Sequence, residues 1–66
     1  MKITRIKLPG LLRSRKSRKL SRATVGAKAW VGHNTLYQAE HGVAINREMA
    51  ERIAKVLGVK LRSLQS

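Results

Sequence analysis

Residues 21–42 read SRATVGAKAWVGHNTLYQAEHG, and the order of caps, apolar positions and glycines in this stretch decides the fold. Ser21 precedes RATVGAKA and offers an N-cap hydroxyl to a helix of about two turns, because its oxygen can take an otherwise unpaired N–H of the first turn. A second short helix is predicted in HNTLYQAEHG. It starts near His33 or Asn34, turns Leu36 and Ala39 inward, and stops at Gly42, since glycine takes the left-handed conformation without a Cβ penalty. His33, Asn34, Tyr37 and Gln38 then face outward.

Downstream, Asn46 is placed to cap REMAERIAKVL, where Met49, Ile53 and Leu57 recur at four-residue spacing before Gly58 ends the helix. Val59, Leu61 and Leu64 flank a final basic turn that closes the underside of the core. Upstream, Leu20 packs at the entry to the Ser21 helix. The segment PGLLRSRKSR predicts a helix from near Pro9 to near Arg18, since proline suits a first helical turn. Leu11 and Arg15 share one of its faces, and Arg13, Lys16 and Arg18 spread over the remainder. Residues 1–8, MKITRIKL, alternate Ile3 and Ile6 with polar and basic neighbours, which fits either a short edge strand or a basic arm. The expected division is therefore an arm or strand at 1–8 and a helical domain at 9–66.

The chain has 66 residues and no cysteine, so no disulfide, thiolate nucleophile or cysteine-type zinc site supplements its core. A core of this size contributes only about 3–5 kcal/mol beyond its costs, and a deep catalytic cleft is not expected. The class expected is all-α, a compact bundle of short helices. No apolar run is long enough to span a membrane and the first residues lack the apolar run of a secretory signal, so a cytoplasmic location is expected.

Charge narrows the partner. Fifteen Lys and Arg stand against three Asp and Glu, a net charge of +12. The excess is uneven, because residues 1–33 hold ten basic and no acidic side chains. Such a footprint implies a polyanion. Two helices joined by a tight turn, with amides on the outer side of the second, meet the demands of a helix-turn-helix in the major groove, and residues 22–41 supply that unit. Asn34 and Gln38 lie about one turn apart and can each pair bidentately with adenine. Arg22, Arg47 and the amides opening the last long helix can anchor phosphates.

From Leu11 to Leu64 the chain resembles the Cro/repressor-type (XRE-like) helix-turn-helix domains of phages and plasmids. The likeness lies in Leu20–Ser21, in HNTLYQAEHG and in the ending IAKVLGVKLRSL. It implies a lambda-repressor-like bundle of five helices, an ion pair between Arg15 and Glu40, and dimeric binding to an operator with two half-sites. Three positions depart from the family pattern. Arg22 replaces a common Gln, which carries over the phosphate role but not that residue's bridge to the recognition helix. Gly26 stands for the usual Ala where helices cross. Trp30 stands where the family has its turn glycine, and a bulky residue at positive φ is strained. Gly32 taking that conformation instead, with the preceding helix extended, would relieve the strain and shift the start of the recognition helix.

The candidate base-contacting residues are His33, Asn34, Thr35, Tyr37 and Gln38. His33 serves equally as a phosphate contact or helix cap, and Tyr37 as an amphipathic surface ring. The candidate phosphate contacts are Arg13, Lys16, Arg18, Lys19, Arg22, Lys28, Asn46 and Arg47, while Arg15 is reserved for Glu40. Trp30 is read as a core or dimer contact, since a lone aromatic cannot build the repeated platforms of single-strand binders. Glu40, Glu48 and Glu51 read as an ion pair and helix-surface charges, and two histidines without cysteine make no metal site.

The expectation is thus a regulator that binds double-stranded DNA, is not an enzyme, and has no cofactor, small-molecule substrate or membrane partner. A homodimer is expected at least on DNA, through Ile3 and Ile6 or Leu61 and Leu64. The rival readings are a non-specific DNA- or RNA-binding protein and a cationic membrane-active module. The last is disfavoured because helix 47–57 carries both signs of charge.

Overall fold

The computed structural model describes residues 4–65. Its elements in chain order are β1 (Arg5–Ile6), α1 (Leu11–Ser17), α2 (Arg22–Ala29), α3 (His33–Glu40), β2 (Ile45–Asn46), α4 (Arg47–Leu57) and α5 (Leu61–Gln65). The five helices are those the sequence implies, and of the two readings of the N-terminal segment residues 5 and 6 adopt the strand. β1 pairs antiparallel with β2, Arg5 opposite Asn46 and Ile6 opposite Ile45. Ile3 lies outside the described residues.

Helix α1 opens two residues later than Pro9 suggests. Pro9 and Gly10 form a turn, and the Gly10 N–H donates to Leu64 O at 2.8 Å. A contact from the far end of the chain therefore fixes this boundary, which local propensity does not register. Ser21 caps α2 by accepting from the Thr24 N–H at 3.1 Å, and Asn46 caps α4 by accepting from the Glu48 N–H at 2.8 Å.

Four helices close on a left-handed residue: α1 on Lys19 (φ 55°), α2 on Trp30 (φ 57°), α3 on Gly42 (φ 87°) and α4 on Gly58 (φ 69°). In each, the next residue's N–H reaches back to a carbonyl of the last turn, as Leu20 does to Arg15 O, Val31 to Gly26 O, Val43 to Gln38 O and Val59 to Ala54 O. Glycine makes this inexpensive for α3 and α4. At Lys19 and Trp30 a side chain adds about 1–2 kcal/mol of strain.

Trp30 thus corrects one expectation and narrows another, the core-or-dimer reading, to its dimer half. It occupies the left-handed position itself, while Gly32 is extended (φ −62°, ψ 148°) and serves as N-cap of α3. Its side chain is 86 % exposed and is no part of the core. Space for this turn comes from Gly26, where a Cβ would lie 2.8 Å from Val31 O.

The core gathers Leu8 and Leu11 from the N-terminal side, Val25, Ala29 and Val31 from α2 and its turn, and Leu36 and Ala39 from α3. Ile45, Ala50, Ile53, Ala54, Leu57 and Leu64 complete it. Leu20, Met49, Val59 and Leu61 pack partly buried against its edge. Leu64 is fully buried, so it is not available as an intersubunit contact. Arg52 of α4 donates to Ala29 O at 2.9 Å, pinning the C-terminal end of α2. Among the described residues, no helix is long and apolar enough to cross a membrane.

Candidate nucleic-acid interface

Leu36 and Ala39 hold α3 to the core, which commits the opposite face of the helix to the outside. His33, Asn34, Tyr37 and Gln38 are exposed on it, and Thr35 is half-buried. His33 is the first helical residue and does not cap the helix, since Gly32 precedes it as the N-cap. No acidic side chain occupies the first turn.

Glu40 ties this helix to both of its predecessors. One oxygen accepts from Arg15 Nε of α1 at 2.5 Å, and the other lies 3.8 Å from Arg22 Nε of α2. The Glu40 side chain is 3 % exposed, and Arg15 also donates to Leu20 O at 2.8 Å. Arg22 further places its guanidinium 5.1 Å from the centre of the Tyr37 ring, within cation–π range. The expectation that Arg22 would lack a bridge to the recognition helix is therefore corrected. It reaches α3 through a carboxylate and a ring, where a Gln would use an amide. Tyr37 also meets His41, with ring centroids 4.2 Å apart.

A hollow of about 250 Å³ opens beside α3, lined by Thr35 and Gln38 from the helix, Arg5 from β1, Asn46 from β2, and Ala44, Ile45 and Met49. The sequence did not single out Arg5. Its signal was available only as basic character in an alternating segment, and the pairing of β1 with β2 is what carries it to the recognition helix.

The basic side chains fall into separate groups. Arg13, Lys16, Arg18 and Lys19 are exposed on α1 and the turn after it. Arg18 donates to Ser14 O at 3.3 Å. Arg47, exposed at the start of α4, pairs with Glu51 at 3.2 Å, a surface contact of about 0.3–0.5 kcal/mol. Asn46 uses its oxygen as the α4 cap. Lys28 lies elsewhere, in a hollow with Arg52, Lys55 and Val56 that shares no residue with the one beside α3. No group of three or more His, Cys, Asp or Glu placed to hold a metal occurs among the described residues.

Two helices joined by a three-residue turn, with the second presenting amides outward, have the geometry of a DNA-reading unit. A family model described as helix-turn-helix matches residues 11–64, the span from the start of α1 into α5. No curated protein and no solved structure matches the chain. With the family model covering most of its length, the chain belongs to the Cro/repressor-type (XRE-like) helix-turn-helix family of DNA-binding regulators.

Proposed function

We propose that the protein is a sequence-specific transcriptional regulator of phage or mobile-element type that binds a two-half-site operator in double-stranded DNA as a homodimer. The observation that carries this reading is the outer face of α3, where exposed Asn34 and Gln38 stand on a helix locked to its neighbours by the Glu40 carboxylate. An amide that reads a base must be held in place, and a rigid helix does this better than a loop. In this reading His33, Asn34, Thr35, Tyr37 and Gln38 meet base edges. Arg13, Lys16, Arg18, Lys19, Arg22, Lys28, Asn46 and Arg47 meet phosphates.

Two copies of α3 about 34 Å apart would enter successive major grooves on one face of the duplex. Regulation would follow from occlusion or recruitment at a promoter. With Leu64 in the core, Ile6 and Leu61, both only partly buried, and the exposed Trp30 are the remaining described candidates for contact between subunits. The charge of +12 on each subunit opposes association in solution, so dimerisation is expected to be strongest on DNA.

The test is selection of bound sequences from a random duplex pool at about 150 mM salt, where screening suppresses much of the purely electrostatic binding. A convergent motif with two related half-sites supports the reading. Retention of all sequences alike overturns it in favour of non-specific nucleic-acid binding.

A further inference from the structure

We propose that Arg5, on the N-terminal strand, is a specificity-determining residue that reads a guanine next to the base contacted by Gln38. This rests on the sequence-specific reading above and adds to it an element outside the helix-turn-helix.

Position is the first argument. Arg5 and Gln38 line the same hollow, together with Thr35, Asn46 and Met49. The segment carrying Arg5 is fixed along one edge by its backbone pairing with β2, which the Arg47 N–H extends by donating to Thr4 O at 2.9 Å. In the same ribbon Ile6 and Ile45 turn towards the core, so the alternation of strand side chains sends Arg5 and its partner Asn46 to the other face. Arg5 is exposed there.

The second argument is chemical. The guanidinium has five N–H donors in a planar fork and no acceptor. Among the described residues Arg5 makes no ion pair or side-chain hydrogen bond; of the three acids Glu40 is taken by Arg15 and Arg22, Glu51 by Arg47, and Glu48 is in no ion pair with a described residue. Towards the described residues its donors are thus unspent, in a concave site whose other polar groups are an amide, a hydroxyl and a capping Asn. A guanine offers O6 and N7 side by side in the major groove, the acceptor pair that this fork fits. A phosphate fits the same fork, so the choice of guanine rests on position, with Arg5 beside Gln38 in the hollow next to α3. The ribbon therefore acts as a second support for base reading, placing one Arg alongside α3 without lengthening the helix.

The experiment uses the full chain and the duplex that it selects from a random pool. Binding is measured for the wild type, Arg5→Ala and Arg5→Lys on that duplex, on versions with each base pair replaced in turn, and on a scrambled duplex. The expected result is that wild type loses about tenfold at one G·C pair per half-site. Arg5→Ala should bind the original and that replacement alike, and Arg5→Lys, which keeps the charge without the planar fork, should keep affinity for scrambled DNA and show a reduced preference. Far-UV circular dichroism and the unfolding midpoint establish that each variant is folded. Loss of affinity by one common factor on every duplex would make Arg5 a phosphate contact and overturn the assignment, as would an unchanged base preference. If the wild type selects no motif, the sequence-specific reading fails first and visibly, before any Arg5 variant is compared.

Discussion

Arg15 and Glu40 lie 25 residues apart in sequence and meet at 2.5 Å, joining α1 to the end of α3 with side chains only 12 % and 3 % exposed. Removing one member of such a pair leaves the other charge poorly solvated, which costs about 3–5 kcal/mol. That equals the whole margin of about 3–5 kcal/mol available to a chain of this length. Glu40→Ala is therefore expected to be largely unfolded without DNA, and Glu40→Gln, which keeps an acceptor, to be less affected. Urea unfolding followed by circular dichroism checks this, and a wild-type midpoint for Glu40→Ala would refute it.

Trp30 holds a left-handed conformation that costs a side chain about 1–2 kcal/mol, and it recovers little by packing because it is 86 % exposed. Trp30→Gly removes that strain and gives back about 0.5–1 kcal/mol as extra freedom of the unfolded chain. The variant should be more stable by up to about 1.5 kcal/mol. Trp30→Ala keeps the backbone strain and should show no such gain. A lower midpoint for Trp30→Gly would mean that the indole contributes contacts to the fold after all.

Gly26 faces the opposite constraint. Alanine improves helix propensity by about 1 kcal/mol, but its Cβ would lie 2.8 Å from a backbone oxygen, Val31 O, and such overpacking costs about 1–3 kcal/mol. Gly26→Ala should therefore destabilise the protein despite its better propensity. The loss should shrink in a Trp30→Gly background, because glycine lets the turn that carries Val31 move away. A thermal double-mutant cycle measures that coupling, and strict additivity would count against the link between the two positions.

These positions also mark what the sequence discloses. Ser21, Asn46, Gly42 and Gly58 act through bonds to residues a few positions away, so caps and stops could be placed from the chain alone. The inward side of α3 and α4 followed from periodicity for the same reason. The left-handed backbone at Trp30 is not legible in the sequence, because the turn is set by packing of α2 against α3 and α4 and a lone Trp gives no local sign of it. The sequence offers a phosphate role for Arg22 but not its Tyr37 and Glu40 contacts, which depend on how α2 crosses α3. The site beside α3 was half legible: the amides stand out in HNTLYQAEHG, whereas Arg5 arrives there only through an antiparallel pairing spanning most of the domain.

The exposed cations of α1 and its following turn predict a salt effect. Each phosphate contact releases counterions and contributes about 0.9 to the slope of log affinity against log salt. Arg13→Ala, Lys16→Ala and Lys19→Ala should each reduce that slope by about 0.9 and weaken selected and scrambled duplexes alike. Titrations at several salt concentrations check it. An unchanged slope assigns the residue to a solvated face.

Gln38 predicts the converse pattern. It is exposed on α3 and uncharged, so removing it leaves the counterion term intact and deletes only what its amide reads. Gln38→Ala should cost about 1–3 kcal/mol on the selected duplex and little on a scrambled one, with the salt slope unchanged. Asn34→Ala should behave likewise at a different base pair, because the two amides lie about one turn apart and face neighbouring positions of the groove. The measurement is the ratio of affinities for selected and scrambled DNA. Equal losses on both would remove Gln38 from the base-reading set, since a residue that recognises a base must bind the right sequence better than the wrong one.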